Sequence, residues 1–304
     1  MTISLKRHSS TLKFFCPLFA VILILLPDTA WVKMPDKPRL NIGYSSKTFL
    51  DVDMKDAVAA LDVWVDEWSA KEGFSAQNRI YDDLDVLAKD FQQGNLDLGI
   101  VKSLDYLKIR NAITPELAMT HVKGGKKTIR YHLLVQSDSG ITSIKDLRNR
   151  KLTVRKGDDM GLLFLNTLLL KNRLPETEKF FFLSDPKPRS SQVMLSVFFG
   201  QADACLTTDI TYKTMVELNP QVKEKLKIIA SSEEYVEGVN FFRKDYDDNY
   251  KKIVLDRSQR LKDSVRGRQI MLLFKIDKVA VLEEKDLDTV RKLLADYERL
   301  RRRN

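Results

Sequence analysis

The chain has 304 residues, of which 43% are hydrophobic and 31% charged, and its formal net charge is +9. That balance fits one large or two medium globular domains and excludes a disordered or fibrous chain. The basic residues gather at the ends, in Lys6, Arg7 and Lys13 and in the terminal RLRRRN. No basic stripe interleaved with aromatics, zinc-finger spacing or helix-turn-helix accompanies them, so the tail reads as a solvated end and no nucleic-acid partner is expected.

The N-terminal MTISLKRHSSTLK is basic, and FFCPLFAVILILL at 14–26 is apolar. The apolar run has the length of a signal-peptide core and falls short of the ~20 residues of a spanning helix. Residues 1–38 are therefore expected to be a signal peptide or membrane anchor plus a linker. Cleavage after Ala30 puts Asp28 where a small residue is preferred. A soluble periplasmic form and a form tethered to the inner membrane both stay open. Cys16 lies in the apolar run, which leaves Cys205 in ADACL without a disulfide partner and best read as a buried strand residue. His8, His121 and His132 stand alone, with no metal-ligand spacing around them. There is no nucleophile elbow, P-loop or dinucleotide fingerprint. No catalytic site, cofactor or metal is expected.

After the PDKP linker, RLNIGYS (39–45) reads as a strand. Residues 54–73 read as an amphipathic helix, with Val58, Leu61, Val65 and Trp68 at spacings of three and four and Gly73 at its end. A strand at 75–82, a helix at 84–94, a strand at 96–101 and a helix from Ser103 follow. The alternation implies a doubly wound α/β arrangement, and the short apolar strands imply parallel pairing. HVKGGKK (121–127) is a flexible connector. Strands are expected at 128–136, near 151–154, and at 180–184, 203–208 and 226–232. Helices are expected from Asp158 to Lys171, at 190–201 and at 208–220, and GVNFFRKD (238–245) returns the chain. The remainder is read as mainly helical. The whole is an α/β fold of two lobes: 39–128 with 235–304 as lobe 1, and 129–234 as lobe 2.

In order and spacing, several segments resemble the phosphate, phosphite and phosphonate binding proteins of ABC importers. They are LNIGYSS, LAKDFQQGNLDLGIVKSLDYL, LLVQSDSGITSIKDLRNRKLTV, VMLSVFFGQADACL and LFKIDKVAVLEEKDLDTVRKLL. The resemblance covers residues 39–295. It implies a two-lobed type II periplasmic-binding-protein fold with a double-crossover hinge near 124–130 and 230–240. It also implies a monomeric, non-enzymatic receptor that closes on a small-molecule ligand and then meets an ABC permease or a membrane sensor.

Strand ends and helix N-termini facing the cleft supply the candidate contacts. In lobe 1 these are Tyr44, Ser45 and Ser46 after the first strand, Tyr81 after the second, and Lys102 with Ser103 after the third. Each serine is equally a helix cap, and Tyr81 equally a packing residue. In lobe 2, the family's hydroxyl-rich phosphoryl cradle corresponds here to Gly157, Asp158, Asp159, Met160 and Gly161. A carboxylate there accepts from the N–H groups an anion would use, and repels the anion. The family's histidine–aspartate pair corresponds to Ser190 and Ser191, preceded by Arg189. Thr208 and Asp209 complete the set. The mixture of Lys102 and Arg189 with Asp158 and Asp159 suits a zwitterionic or mixed-charge ligand and weakens the expectation of phosphate. A membrane-anchored binding module used in sensing or assembly is the alternative. An enzyme of cofactor-precursor biosynthesis on the same fold would need a reactive cysteine or histidine in the cleft.

Overall fold

Strands and helices alternate through residues 39–303, which the computed structural model describes. The leader expected at the N-terminus lies outside the described residues. The order is β1 (Arg39–Ser45), α1 (Met54–Lys71), β2 (Ser75–Tyr81), α2 (Leu84–Gln92), β3 (Leu98–Lys102), α3 (Ser103–Ile113), β4 (Pro115–Val122) and β5 (Thr128–Gln136). Then come β6 (Lys151–Thr153), α4 (Asp159–Lys171), α5 (Thr177–Phe180), β7 (Phe182–Leu183), α6 (Ser190–Phe198), β8 (Ala204–Thr208), α7 (Asp209–Leu218) and α8 (Gln221–Lys225). The chain closes with β9 (Leu226–Val236), β10 (Gly238–Arg243), α9 (Asp248–Gln259), α10 (Val265–Phe274), β11 (Lys278–Val281) and α11 (Asp288–Arg301).

Two mixed sheets result, both within one compact unit. The first has the order β11-β4-β10-β3-β1-β2, and the second β7-β6-β8-β5-β9. Only β1 with β2 and β3, and β6 with β7 and β8, pair in parallel. The parallel expectation therefore holds for the winding halves and fails where the chain crosses. It leaves the first sheet between β4 and β5 and returns between β9 and β10. β5 and β9 pair antiparallel, with Thr128 opposite Val236, which makes the crossover double. The sequence pattern assigns no element to 115–120, puts the end of β4 in the 121–127 connector, and puts β11 in the mainly helical remainder. A leading proline and a four-residue length hide them, and antiparallel pairing with each other and with β10 makes them strands.

The amphipathic face of α1 is buried as its spacing predicts. Leu61, Val65 and Trp68 pack on β1 and β3 residues Ile42 and Leu98, each burial stabilising by ~1.5–3 kcal/mol. Asp53 caps the helix by accepting from the N–H groups of Lys55 and Asp56. The last helix, expected with lobe 1, instead packs Val290 and Leu293 among Leu165 and Leu169 of α4, on the second sheet's side.

The centre of the first sheet depends on a close approach. A Cβ on Gly99 in β3 would overlap the Phe241 ring of β10, a buried residue with nowhere to move. Gly99→Ala should cost about 1–3 kcal/mol, seen as a lower urea midpoint. Phe241→Leu in the same chain should return part of that loss.

Candidate functional site

A cavity of about 510 Å³ opens between the two sheets and extends inward beneath α1 and α10. Its cleft side is lined by Lys102, Arg155, Arg189, Ser190, Thr208 and Glu237. Its inner side is lined by apolar side chains of β1, β3, α1 and α10.

Arg155 follows β6 and is only 7% exposed. Burial opposes its charge. Asp158, Tyr131 and Asp51 outweigh that and hold the guanidinium above even its ordinary pKa. One Nη2 lies 3.6 Å from the Asp158 carboxylate, and Nη1 donates to Asp51 Oδ2 at 2.6 Å. Asp51 comes from the turn before α1, on the other side of the cleft. Its Oδ1 also accepts from the Ser190 backbone N–H at 3.2 Å, and both of its oxygens accept from the Ser190 hydroxyl at 3.2 and 3.1 Å. Ser190 is the first residue of α6, where unpaired N–H groups favour an anion. A second bridge, Lys47 to Asp159 at 2.6 Å, joins side chains 40% and 45% exposed. Exposed pairs are worth about 0–1 kcal/mol, so the Asp51 contact is the one that ties the cleft shut.

At the crossover, Glu237 meets two lysines and an imidazole: Lys102 at 2.7 Å, and His121 and Lys123 at 3.1 Å. Burial alone would raise its pKa; Lys102, Lys123 and His121 hold it well below the usual carboxylate range. Burial lowers the pKa of Lys102 despite Glu237.

Over residues 49–287 the sequence matches the family described as "ABC transporter, phosphonate, periplasmic substrate-binding protein". The chain belongs to that family. It is a non-enzymatic solute-binding protein of the phosphonate and phosphate importer type. No curated protein sequence matches it. Among solved structures, XAC2383 from Xanthomonas citri bound to ATP has a TM-score of 0.63 at 15% identity, covering 86% of this chain and 98% of that one. A binding protein component of an ABC phosphonate transporter from Pseudomonas aeruginosa gives 0.62 at 15% identity, covering 88% of each chain. PhnD1 from Prochlorococcus marinus in complex with methylphosphonate gives 0.61 at 15%, covering 86% and 98%. Likeness at these identities establishes the two-lobed type II fold.

In this binding protein, the residues singled out from sequence divide. Tyr44, Lys102, Arg189, Ser190 and Thr208 line the large cavity, and Thr208 also caps α7 by accepting from Thr211 N–H. Ser45, Ser46, Tyr81, Ser103 and Asp209 do not line it. The Ser45 carbonyl accepts from the Thr48 hydroxyl, and Ser46 begins a short 3-10 turn. Tyr81 donates to Asp90, Ser103 donates to the Val236 carbonyl, and Asp209 accepts from Arg130 N–H. Asp158 caps α4, accepting from Gly161 N–H and from the Tyr131 hydroxyl. Asp158 and Asp159 border only a small cavity of about 30 Å³, room for about one water. The 157–161 turn is thus a filled helix cap.

Sequence reasoning missed Asp51, Arg155, Glu237, Trp64 and Trp68. Asp51 sat between two named loops, and Arg155 was passed over beside the GDDMG turn. Trp68 counts in the sequence only as part of the apolar face of α1, and Trp64 falls outside that spacing. Cys205 is fully buried in β8, and burial pushes its thiol up, which removes the reactive cysteine an enzyme would need. Among the described residues, no His, Cys, Asp and Glu cluster has the arrangement to hold a metal ion.

Burial lowers the pKa of both His121 and His132. The unfolded chain takes up protons near pH 6.5, where the folded one does not. Stability is therefore complete above that value and lost as pH falls below it, with a further loss at lower pH as Glu237 protonates. Urea midpoints should decline from about pH 6.5 to 5. His121→Gln should flatten part of this slope, leaving the share of His132.

Proposed function

We propose that this protein captures a small anionic solute between its two sheets, outside the inner membrane, and delivers it to an ABC permease. The observation that carries the reading is the seat of Asp51. Its carboxylate takes hydrogen bonds from the Ser190 N–H, the Ser190 hydroxyl and the buried Arg155 guanidinium. Those are the donors a phosphonate or phosphate oxygen uses: a helix N-terminus, a hydroxyl and an arginine. Asp51 stands in for the anion of the solute, and an arriving head group takes its place. Arg189 and Thr208 line the same cavity. Arg189 makes no ion pair among the described residues, so its charge is free for the solute.

The same arrangement disfavours bare phosphate. Asp51 competes for its donors and Asp158, on the far side of Arg155, repels it. The basic n-region and the apolar run at 14–26 support export, with either release or a tether at the membrane.

Isothermal titration calorimetry with methylphosphonate and inorganic phosphate tests the reading. Wild type should bind phosphate weakly. Asp51→Asn should tighten both ligands by about tenfold, since the competitor loses its charge. Arg155→Ala should weaken both by at least ~30-fold. If neither substitution moves either affinity, the anion is held elsewhere.

A further inference from the structure

The inner half of the cavity asks more of the ligand than a charge. Folded interiors pack with few voids larger than a water. Here the layer between the first sheet and helices α1 and α10 leaves part of a 510 Å³ cavity. Ile42 and Ile100 face it from the sheet, Leu61, Trp64 and Trp68 from α1, and Phe274 from α10. These are apolar or aromatic groups, and a phosphoryl head has no reason to enter among them. The charged side chains stand on the cleft side: Lys102, Lys123, Arg155 and Arg189 against Asp51 and Glu237, with Lys275 at the outer end of α10. The cavity is thus basic at one end and apolar at the other.

We infer that the natural ligand is an anionic amphiphile. Its head replaces Asp51 at Arg155 and Ser190. Its apolar body lies between the first sheet and α1. The inference rests on the anion reading above for the head and adds the body. Alkylphosphonates and fatty acids share this chemistry and differ in the head.

Trp64 and Trp68 both line the cavity, and the third tryptophan is Trp31. In a full-length Trp31→Phe chain, the emission therefore reports the cavity alone. The titrants are methyl-, butyl- and octylphosphonate, octanoate and octanol. Burying each added methylene should tighten binding by up to about fourfold. From methyl- to octylphosphonate, a gain of at least ~100-fold is expected, with a blue shift that grows with the chain. Ile100→Phe, which fills the cavity, should shrink the ratio of octyl to methyl affinity. Val279→Phe, on β11 at the sheet edge, gives the same reading if Ile100→Phe does not fold. Arg155→Ala should weaken every phosphonate by a common factor and keep the ratio. Octanoate matching octylphosphonate would make the carboxylate head an accepted form, and a far weaker octanoate would assign the phosphonate. Equal affinities for methyl- and octylphosphonate overturn the inference and leave the anion reading standing. Binding of octanol as tight as that of octylphosphonate, with no response to methylphosphonate, overturns the anionic head.

Discussion

A buried guanidinium organises this molecule. Arg155 is almost wholly removed from water, so its charge must be met by anions close at hand. Asp158 supplies one from the same side of the cleft and Asp51 the other from across it. Losing a partner leaves the buried guanidinium under-compensated, which destabilises the fold. Asp51 also meets the N-terminus of α6, so a single carboxylate answers two electropositive groups. The closed arrangement depends on an anion at that point, whichever molecule provides it. On the reading proposed above, a solute anion that takes the place of Asp51 would control closure without covalent chemistry.

The fold delivers its polar groups to one place by a simple rule. β1, β3, β6 and β8 all point their carboxyl ends at the cleft, and helix N-termini follow β3 and β8 directly and β6 after a turn. The crossover adds Glu237 between β9 and β10, whose side-chain partners Lys102, His121 and Lys123 fix the return of the chain to the first sheet. Lys102 is held there by Glu237, so it shapes the wall of the cleft with much of its charge already answered. Polar chemistry is thus confined to the strand ends, and the space behind them is apolar.

Much of the architecture was legible along the chain. The face of α1, with Leu61, Val65 and Trp68, follows from spacing alone, and β1 and β5 follow from short apolar runs between turn residues. β4 and β11 were not legible because their strand character comes from distant partners: β4 pairs with β10, and β11 pairs with β4. The Asp158 cap was readable, since a carboxylate before a helix accepts from that helix wherever it lies. The readings of Tyr81 and Ser103 as contacts went elsewhere for local reasons: Asp90 and the Val236 carbonyl are nearer partners than the cleft.

By itself the sequence determined the alternation of elements, the caps that start them and the Asp158 carboxylate at the start of α4. Each of these is set by residues within a turn or two of one another. Only the tertiary structure decided that Asp51 would sit on Arg155 and Ser190, residues 104 and 139 positions away. Only it decided that two tryptophans of an ordinary amphipathic helix would wall a cavity instead of filling it. Charge pairing across a cleft and the space left between layers depend on how the sheets close, and no local pattern of residues records that.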